Sequence, residues 1–560
     1  MKPGSPMRLI DRRTGLVFAL FLAGLAIAGT KALWLGVVQA GTLRNAASTQ
    51  QKQTITVPAR RGSISDRNGE ELAVSQPALS VAATPYLIHD PLKVSQRISG
   101  LLGRDPSNVL ADLSKKHTGF VWLARQLPMD RGKQLQQMHI EGLDFVEEST
   151  RAYPRRFVAS QLLGYTGTDN TGLSGLELQH DRDLSGRDGR RLLIKDALGQ
   201  SIKLDDEHPA VDGKDLQLTL DDRIQEETEK VLAEVGAKYK PAKGATAIVM
   251  NPHDGQLLAV ANWPRVDANA PGDAPDWAKQ DRAVQTSYEP GSTFKAFTFA
   301  GALSDGRITP ETVFQLPAQI QIADRSIGEA HGEAYGTLTA AGVLQKSSNV
   351  GTIMIGQRLG SDRFAHWVDA FGFGRPTGVD LPGEAGGIVL KRKDYSGSSM
   401  GNLPIGQGEA VTPMQMVQAY AAIANGGVLR SPRIVKAVGG KPTATPRGRR
   451  VISEQTAAQL RQMLEGVLGP GGTASGAAIP GYLLAGKTGT AEKPDPVYGG
   501  YSTTKFVASF VGFAPAQDPR LLTLVMVDEP QGDIYGGSVA APAWRDIMGF
   551  ALNYLRIAPK

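Results

Sequence analysis

Between Gly15 and Val38 the chain carries one charge, Lys31, among apolar, glycine and threonine residues. A helix of that length spans the roughly 30 Å hydrocarbon core of a bilayer. Residues 16–30 hold no charge at all, and Lys31 stands near enough to the far end for its ammonium to snorkel to the interface. Ahead of the stretch Lys2, Arg8, Arg12 and Arg13 stand against one acid, Asp11. By the positive-inside rule residues 1–15 stay cytoplasmic, residues 16–38 form the anchor, and the rest of the chain is exported. A cleaved signal peptide is the competing reading, since Val38-Gln39-Ala40 fits a small-x-Ala cleavage site. The apolar stretch is longer than a usual signal core, which favours retention. No second comparable segment follows, so one exported soluble body is expected.

Composition narrows what that body does. With 41% hydrophobic and 21% charged residues the chain is an ordinary globular one. Its 560 residues allow three or four domains, or two larger ones. A net charge of +6 is small for this length and gives no specific support for nucleic acid. There is no cysteine, so disulfides, thiol catalysis, zinc fingers and iron–sulfur clusters are excluded.

Two parts follow the anchor. Residues 41–240 are irregular in pattern, with many Gly and Arg, an alternating run at 54–57 and strand signals at 216–220. Residues 222–238 have a helical pattern and stand at the junction. Residues 241–560 open with a strand at 245–250, a turn at Asp254-Gly255 and a returning strand at 256–261. Further strands are expected at 482–485, 506–513 and 521–527, with a helical middle between the two groups and an exposed loop at 439–450. Strands from both ends of this part around a helical middle predict an α+β body whose sheet is antiparallel.

Three short motifs lie within it: Ser292-Thr293-Phe294-Lys295, Ser347-Ser348-Asn349 and Lys487-Thr488-Gly489-Thr490. Ser292 follows the turn Glu289-Pro290-Gly291 and precedes an apolar helical face, so Lys295 falls one turn on, on the same side. A serine needs an adjacent base to act as a nucleophile. A lysine serves if burial and a second cation, for which Lys487 is the candidate, lower its pKa. The plain alternative is that Ser292 is only an N-cap and Lys295 is solvated. Ser347 and Asn349 sit in a polar break between apolar runs and present a hydroxyl for proton relay and an amide to hold a substrate, or else form an ordinary loop. Lys487-Thr488-Gly489-Thr490 reads as the end of an edge strand that aligns a peptide. There Gly489 admits close approach, and Lys487, Thr488 and Thr490 suit a carboxylate. A second Ser-x-x-Lys, Ser502 to Lys505, falls just before a strand, where the lysine points away from the serine.

The three motifs together resemble the active-site set of penicillin-binding proteins and serine β-lactamases. The intervals from Ser292 to Ser347 (55 residues) and from Ser347 to Lys487 (140 residues) are similar to those of the large transpeptidases. Arg61-Gly62-Ser63-Ile64-Ser65-Asp66-Arg67-Asn68-Gly69, Arg151-Ala152-Tyr153-Pro154, Gly164 and Gly172-Leu173-Ser174-Gly175-Leu176-Glu177 resemble the N-terminal motifs of the class B penicillin-binding proteins. No glycosyltransferase region fits before them, which disfavours the bifunctional class A. The residues at Ala541-Pro542-Ala543-Trp544-Arg545 look most like the septal, FtsI-type branch, whereas Ile405-Gly406-Gln407-Gly408 and Thr412-Pro413-Met414-Gln415 are shared with elongation- and sporulation-type relatives.

The resemblance implies a multidomain α+β protein. It has one N-terminal membrane helix, an elongated non-catalytic pedestal of the dimerisation type, and a transpeptidase domain whose antiparallel sheet lies between helical layers. It implies a D,D-transpeptidase of the inner membrane, with an extracytoplasmic catalytic domain, that crosslinks stem peptides through an acyl-enzyme on Ser292. Lys295 is then the base, Ser347 the proton relay and Asn349 a substrate clamp. Lys487, Thr488 and Thr490 hold the terminal carboxylate, and the backbone N–H groups of Ser292 and Thr490 form the oxyanion hole. No metal or organic cofactor is required. The implied partners are D-Ala-D-Ala stem peptides, β-lactams, a membrane glycosyltransferase of the FtsW type and division proteins of the FtsQ, FtsL, FtsB and FtsN types. A D,D-carboxypeptidase, or a β-lactam-binding sensor or scaffold without turnover, stays open beside it.

Overall fold

The computed structural model describes residues 7–39, 41, 52–115, 117–195, 201–330, 332, 334–497 and 499–559. They fall into two compact units, one of residues 60–186 with 213–560 and the other of the chain up to 59 with 187–212. The second unit holds the helix Met7–Leu33, a π-turn at Trp34–Val38, and an antiparallel sheet of Lys52–Val57, Gly189–Lys195 and Ser201–His208. Its segment Arg13–Val38 contains an 18-residue window with a mean hydropathy of 2.0, and its large apolar side chains are exposed.

The larger unit is organised by a five-stranded antiparallel sheet. We label its strands β1 (Ala245–Met250), β2 (Leu257–Trp263), β3 (Ala485–Pro494), β4 (Tyr501–Ala514) and β5 (Leu521–Asp528). Their spatial order is β2-β1-β5-β4-β3, so the chain's first strands pair with its last, and β3 is an edge. Every residue of β1 and β5 is buried, which is why both read as largely apolar runs rather than alternations. Helices α1 (Asp222–Tyr239) and α7 (Gly536–Tyr554) cover one face. Trp544 of α7 is fully buried there, and its Nε1 donates to the carbonyls of Gly512 at 3.3 Å and Thr523 at 3.1 Å.

Helix α5 (Pro413–Ala424) covers the opposite face, and α6 (Glu454–Leu468) runs against β3. The sequence Thr412-Pro413-Met414-Gln415 is a capping box. Thr412 Oγ1 accepts from the Gln415 N–H at 3.1 Å, Gln415 Oε1 accepts from the Thr412 N–H at 2.8 Å, and Pro413 fills the first helical position. Between the strand groups lie α2 (Lys295–Ser304), α3 (Ala340–Lys346) and α4 (Asn349–Leu359).

The N-terminal part of this unit is more regular than its sequence. In the strand Glu71–Ala83, residues 74–83 pair antiparallel with Leu143–Ala152, and the strand pairs with Val121–Pro128 from Ala78 on. Helices Pro91–Leu102 and Pro106–Leu113 each start from an Asp-Pro pair, with Asp90 and Asp105 accepting backbone N–H groups. A buried ion network ties the part together. Glu177 Oε2 meets Arg61 Nε at 2.6 Å, its Oε1 meets Arg151 Nε at 2.7 Å, and Asp181 adds a bond of 2.7 Å to Arg61. Breaking such a network from one side leaves an uncompensated buried charge, at a cost of about 3–5 kcal/mol.

Three expectations need correction. The strand expected at 482–485 begins only at Ala485, because residues 479–482 form a turn closed by Tyr482 N–H on Ile479 O. Ser502 lies inside β4 rather than ahead of it, and its Oγ accepts the N–H groups of Thr504 and Lys505. The loop expected at 439–450 holds two short strands, Lys441–Pro442 and Arg449–Arg450.

Candidate active site

The serine turn is built into the fold from several sides. Residues Gly291–Phe294 form a 3-10 turn that runs directly into α2. Phe294 is fully buried against Phe297 and Phe373, with ring centroids 5.3 and 5.0 Å away. Tyr420 of α5 donates its hydroxyl to Thr293 O at 2.6 Å. On the far side Gly406 bears on Gly291. A Cβ at Gly406 would stand 2.2 Å from Gly291 O, and its φ of +80° is left-handed as well. The turn thereby leaves Ser292 half-buried beside fully buried Lys295.

The second motif is a helix-to-helix corner. Ser347 ends α3 in the left-handed region at φ 57°, a conformation that a non-glycine residue holds only under constraint. Ser348 caps α4, its Oγ accepting the Gly351 N–H at 2.9 Å. The corner presents Ser347 and Asn349, both half-buried, toward the two lysines.

The third motif lies within β3 rather than at the end of a strand, on the free edge of the sheet. Gly489 is required by the protein's own packing. A Cβ there would meet Ser509 Oγ at 2.4 Å, Thr293 Cγ2 at 2.9 Å and Pro290 O at 3.0 Å. The close approach that its lack of a side chain permits is therefore that of the serine turn to β3. The hydroxyls of Thr488 and Thr490 are engaged too. Thr488 Oγ1 lies 2.8 Å from Thr473 Oγ1, and Thr490 Oγ1 accepts the Gly536 N–H at 3.0 Å.

The three motifs meet at Ser347. Lys295 Nζ donates to Ser347 O at 2.6 Å and to Asn349 Oδ1 at 2.7 Å, with Ser347 Oγ at 3.4 Å. Lys487 Nζ donates to Ser347 Oγ at 2.8 Å, to Thr488 O at 3.1 Å and to Thr488 Oγ1 at 3.3 Å. Both lysines are fully buried. Burial takes Lys295 down to about 7, against the pull of Glu329, which favours its protonated form. Lys487 falls well below the ordinary lysine range, first by burial and then by repulsion from Lys295. Burial is the first cause at both lysines, and the repulsion between the two ammonium groups disfavours their being charged together.

Glu329 and Thr473 carry no sequence signal. They stand 18 residues before Ser347 and 14 before Lys487, and neither interval has a helical or strand meaning. Ser502, in contrast, is 8% exposed, and its hydroxyl is spent on neighbouring backbone.

The family described as penicillin binding protein transpeptidase domain matches residues 245–549, and penicillin-binding protein dimerisation domain matches residues 56–218. Peptidoglycan D,D-transpeptidase FtsI of Escherichia coli strain K12 is 32% identical over 561 residues, covering 98% of this chain and 93% of its own length. Stage V sporulation protein D of Bacillus subtilis is 34% identical over 571 residues, covering 98% and 87%. Penicillin binding protein 3 of Mycobacterium tuberculosis, complexed with ampicillin, has a TM-score of 0.71 at 31% identity and covers 90% of this chain and 98% of that one.

Proposed function

The chain belongs to the class B penicillin-binding proteins and is a serine-type peptidoglycan D,D-transpeptidase, and on that premise we propose that Ser292 is its nucleophile and that it crosslinks stem peptides at the division septum. The observation that carries the site assignment is the convergence of Lys295 and Lys487 on Ser347, beside the turn that carries Ser292.

Neutral Lys295 takes the Ser292 proton as Oγ attacks the carbonyl of the penultimate D-Ala. The N–H groups of Ser292 and Thr490 receive the oxyanion. The C–N bond to the terminal D-Ala then breaks, and Ser347 hands a proton to the departing amine and is reprotonated by Lys295, leaving an ester on Ser292 and Lys295 neutral again. An amine of a neighbouring strand attacks that ester, forms the new amide and returns the proton through the same groups. Asn349 Oδ1 is taken by Lys295, so its Nδ2, whose bond to Gly328 O is long at 3.4 Å, meets the acyl-side amide. Lys487 with Thr488 and Thr490 holds the terminal carboxylate, the Thr490 hydroxyl, which accepts the Gly536 N–H, keeping its proton to donate.

Residues 16–38 are a retained inner-membrane anchor with residues 1–15 cytoplasmic, residues 41–240 form the pedestal, and residues 241–560 form the transpeptidase domain. Glycosyltransferase and division partners of the FtsW, FtsQ, FtsL, FtsB and FtsN types follow from the septal reading. What supports that reading is the similarity to FtsI over 98% of the chain. The 34% identity to a stage V sporulation protein supports a sporulation-type role as the second reading.

Labelling with a fluorescent penicillin tests the site. Ser292→Ala abolishes the label and Ser502→Ala keeps it, and the reverse pattern refutes the assignment. Depletion in the host separates the subtypes: filaments mark a septal role, round cells an elongation role, and a defect confined to spores the second reading.

A further inference from the structure

The corner that presents Ser347 is gripped from outside the three motifs. Glu329 follows a hairpin of Gln319–Ile322 and Arg325–Gly328 and is 9% exposed. Both of its carboxylate oxygens are used. Oε1 accepts Ser348 Oγ at 2.5 Å, and Oε2 accepts the Asn349 N–H at 2.7 Å. Hydrogen bonds to a carboxylate are shorter and stronger than those between neutral groups. The hairpin is itself fixed, since Ile322 and Ile327 pack with Ile353 of α4 and Ile405 beside the serine turn. Ser347 stands immediately before the two gripped residues in its left-handed conformation, which persists only where the surroundings over-determine it.

We propose that Glu329 is a positioning residue of the transpeptidation reaction, clamping Ser348 and Asn349 so that Ser347 Oγ stays on Lys487 and Asn349 Oδ1 stays on Lys295. The inference rests on the reading of Ser292 as the nucleophile. Glu329 touches no substrate and acts through the corner. It also places a negative charge near Lys295, where the other titratable group is Lys487 on β3. Its removal therefore does two separable things: it loosens the corner and releases Lys295 from a charge that favours the ammonium.

The test follows the second-order rate of acylation by a fluorescent penicillin against pH, on the full-length protein in detergent. Glu329→Gln is expected to lower the plateau by about tenfold or more, as the loss of charge-assisted bonds at a buried site implies. It is also expected to move the acid limb to lower pH. Glu329→Asp keeps the charge but shortens its reach, so its plateau falls while its acid limb stays in place. A Glu329→Gln protein with the wild-type plateau and the wild-type limb overturns the proposal. Where Glu329→Gln does not fold, Glu329→Asp decides: a reduced plateau with an unmoved limb supports the clamp, and an unchanged plateau overturns it. Absence of acylation at Ser292 in the wild type sinks the underlying reading instead, so the two failures are distinct.

Discussion

Lys487 Nζ lies 2.8 Å from Ser347 Oγ, although 140 residues separate them along the chain. The lysine comes from the edge strand of the sheet and the serine from a corner between two helices, so their bond closes the cleft across two elements. With Lys295 on the carbonyl of the same serine, Ser347 is held at both its backbone and its side chain. Lys487→Gln shortens the reach and removes the amine that donates to Ser347 Oγ. Its acylation rate should fall by about a hundredfold, the scale of losing one preorganised donor at a reacting centre. A loss below about threefold in a folded variant places Lys487 outside the chemistry.

Burial sets Lys295 near neutrality, which fixes a pH profile. The ordinary lysine value of 10.5 falls to about 7, so the neutral base is present above that pH and is lost below it. Acylation should rise through a midpoint near 7 and drop by about tenfold for each further pH unit on the acid side. Because burial is the first cause of this depression, Lys487→Gln should lower the plateau and leave the midpoint well below the ordinary lysine value. A midpoint that climbs to the ordinary lysine value in that variant assigns the depression to the second cation after all.

The legible parts of this protein are those whose cause is local in sequence. Strands β1 and β5 are largely apolar runs, and Ser292 and Lys295 share a helical turn, so spacing alone pairs them. What escaped reading depends on distant partners. Glu71–Ala83 contains Pro77, which argues against a paired strand. The structure admits it because pairing with Val121–Pro128 begins only at Ala78, leaving one side of Pro77 free. Gly489 was legible as a site of close approach, but what approaches is the serine turn, and only the packing reveals that. Glu329 was invisible, because its meaning lies in a corner 20 residues downstream.

A second buried acid sits behind the serine turn. Glu409 is 2% exposed, on a segment that pairs with the approach to Ser292 through Tyr288 N–H on Val411 O at 3.0 Å and Val411 N–H on Tyr288 O at 2.9 Å. Burial raises it well above the ordinary value of 4.5, and repulsion from Glu289 adds to the effect. Glu289 itself rises to about 7, again first by burial. A carboxyl whose folded pKa exceeds its unfolded one favours folding most below the unfolded value, and that stability is lost as pH rises through the folded one. The wild type should therefore lose stability from about pH 4.5 upward, through 7 and beyond. Glu409→Gln keeps the neutral shape and carries no such loss. Its Tm should stay close to the wild type's at about pH 5 and exceed it at pH 8. Thermal melts at the two pH values check this, and a Tm difference independent of pH shows that Glu409 stays charged in the folded protein.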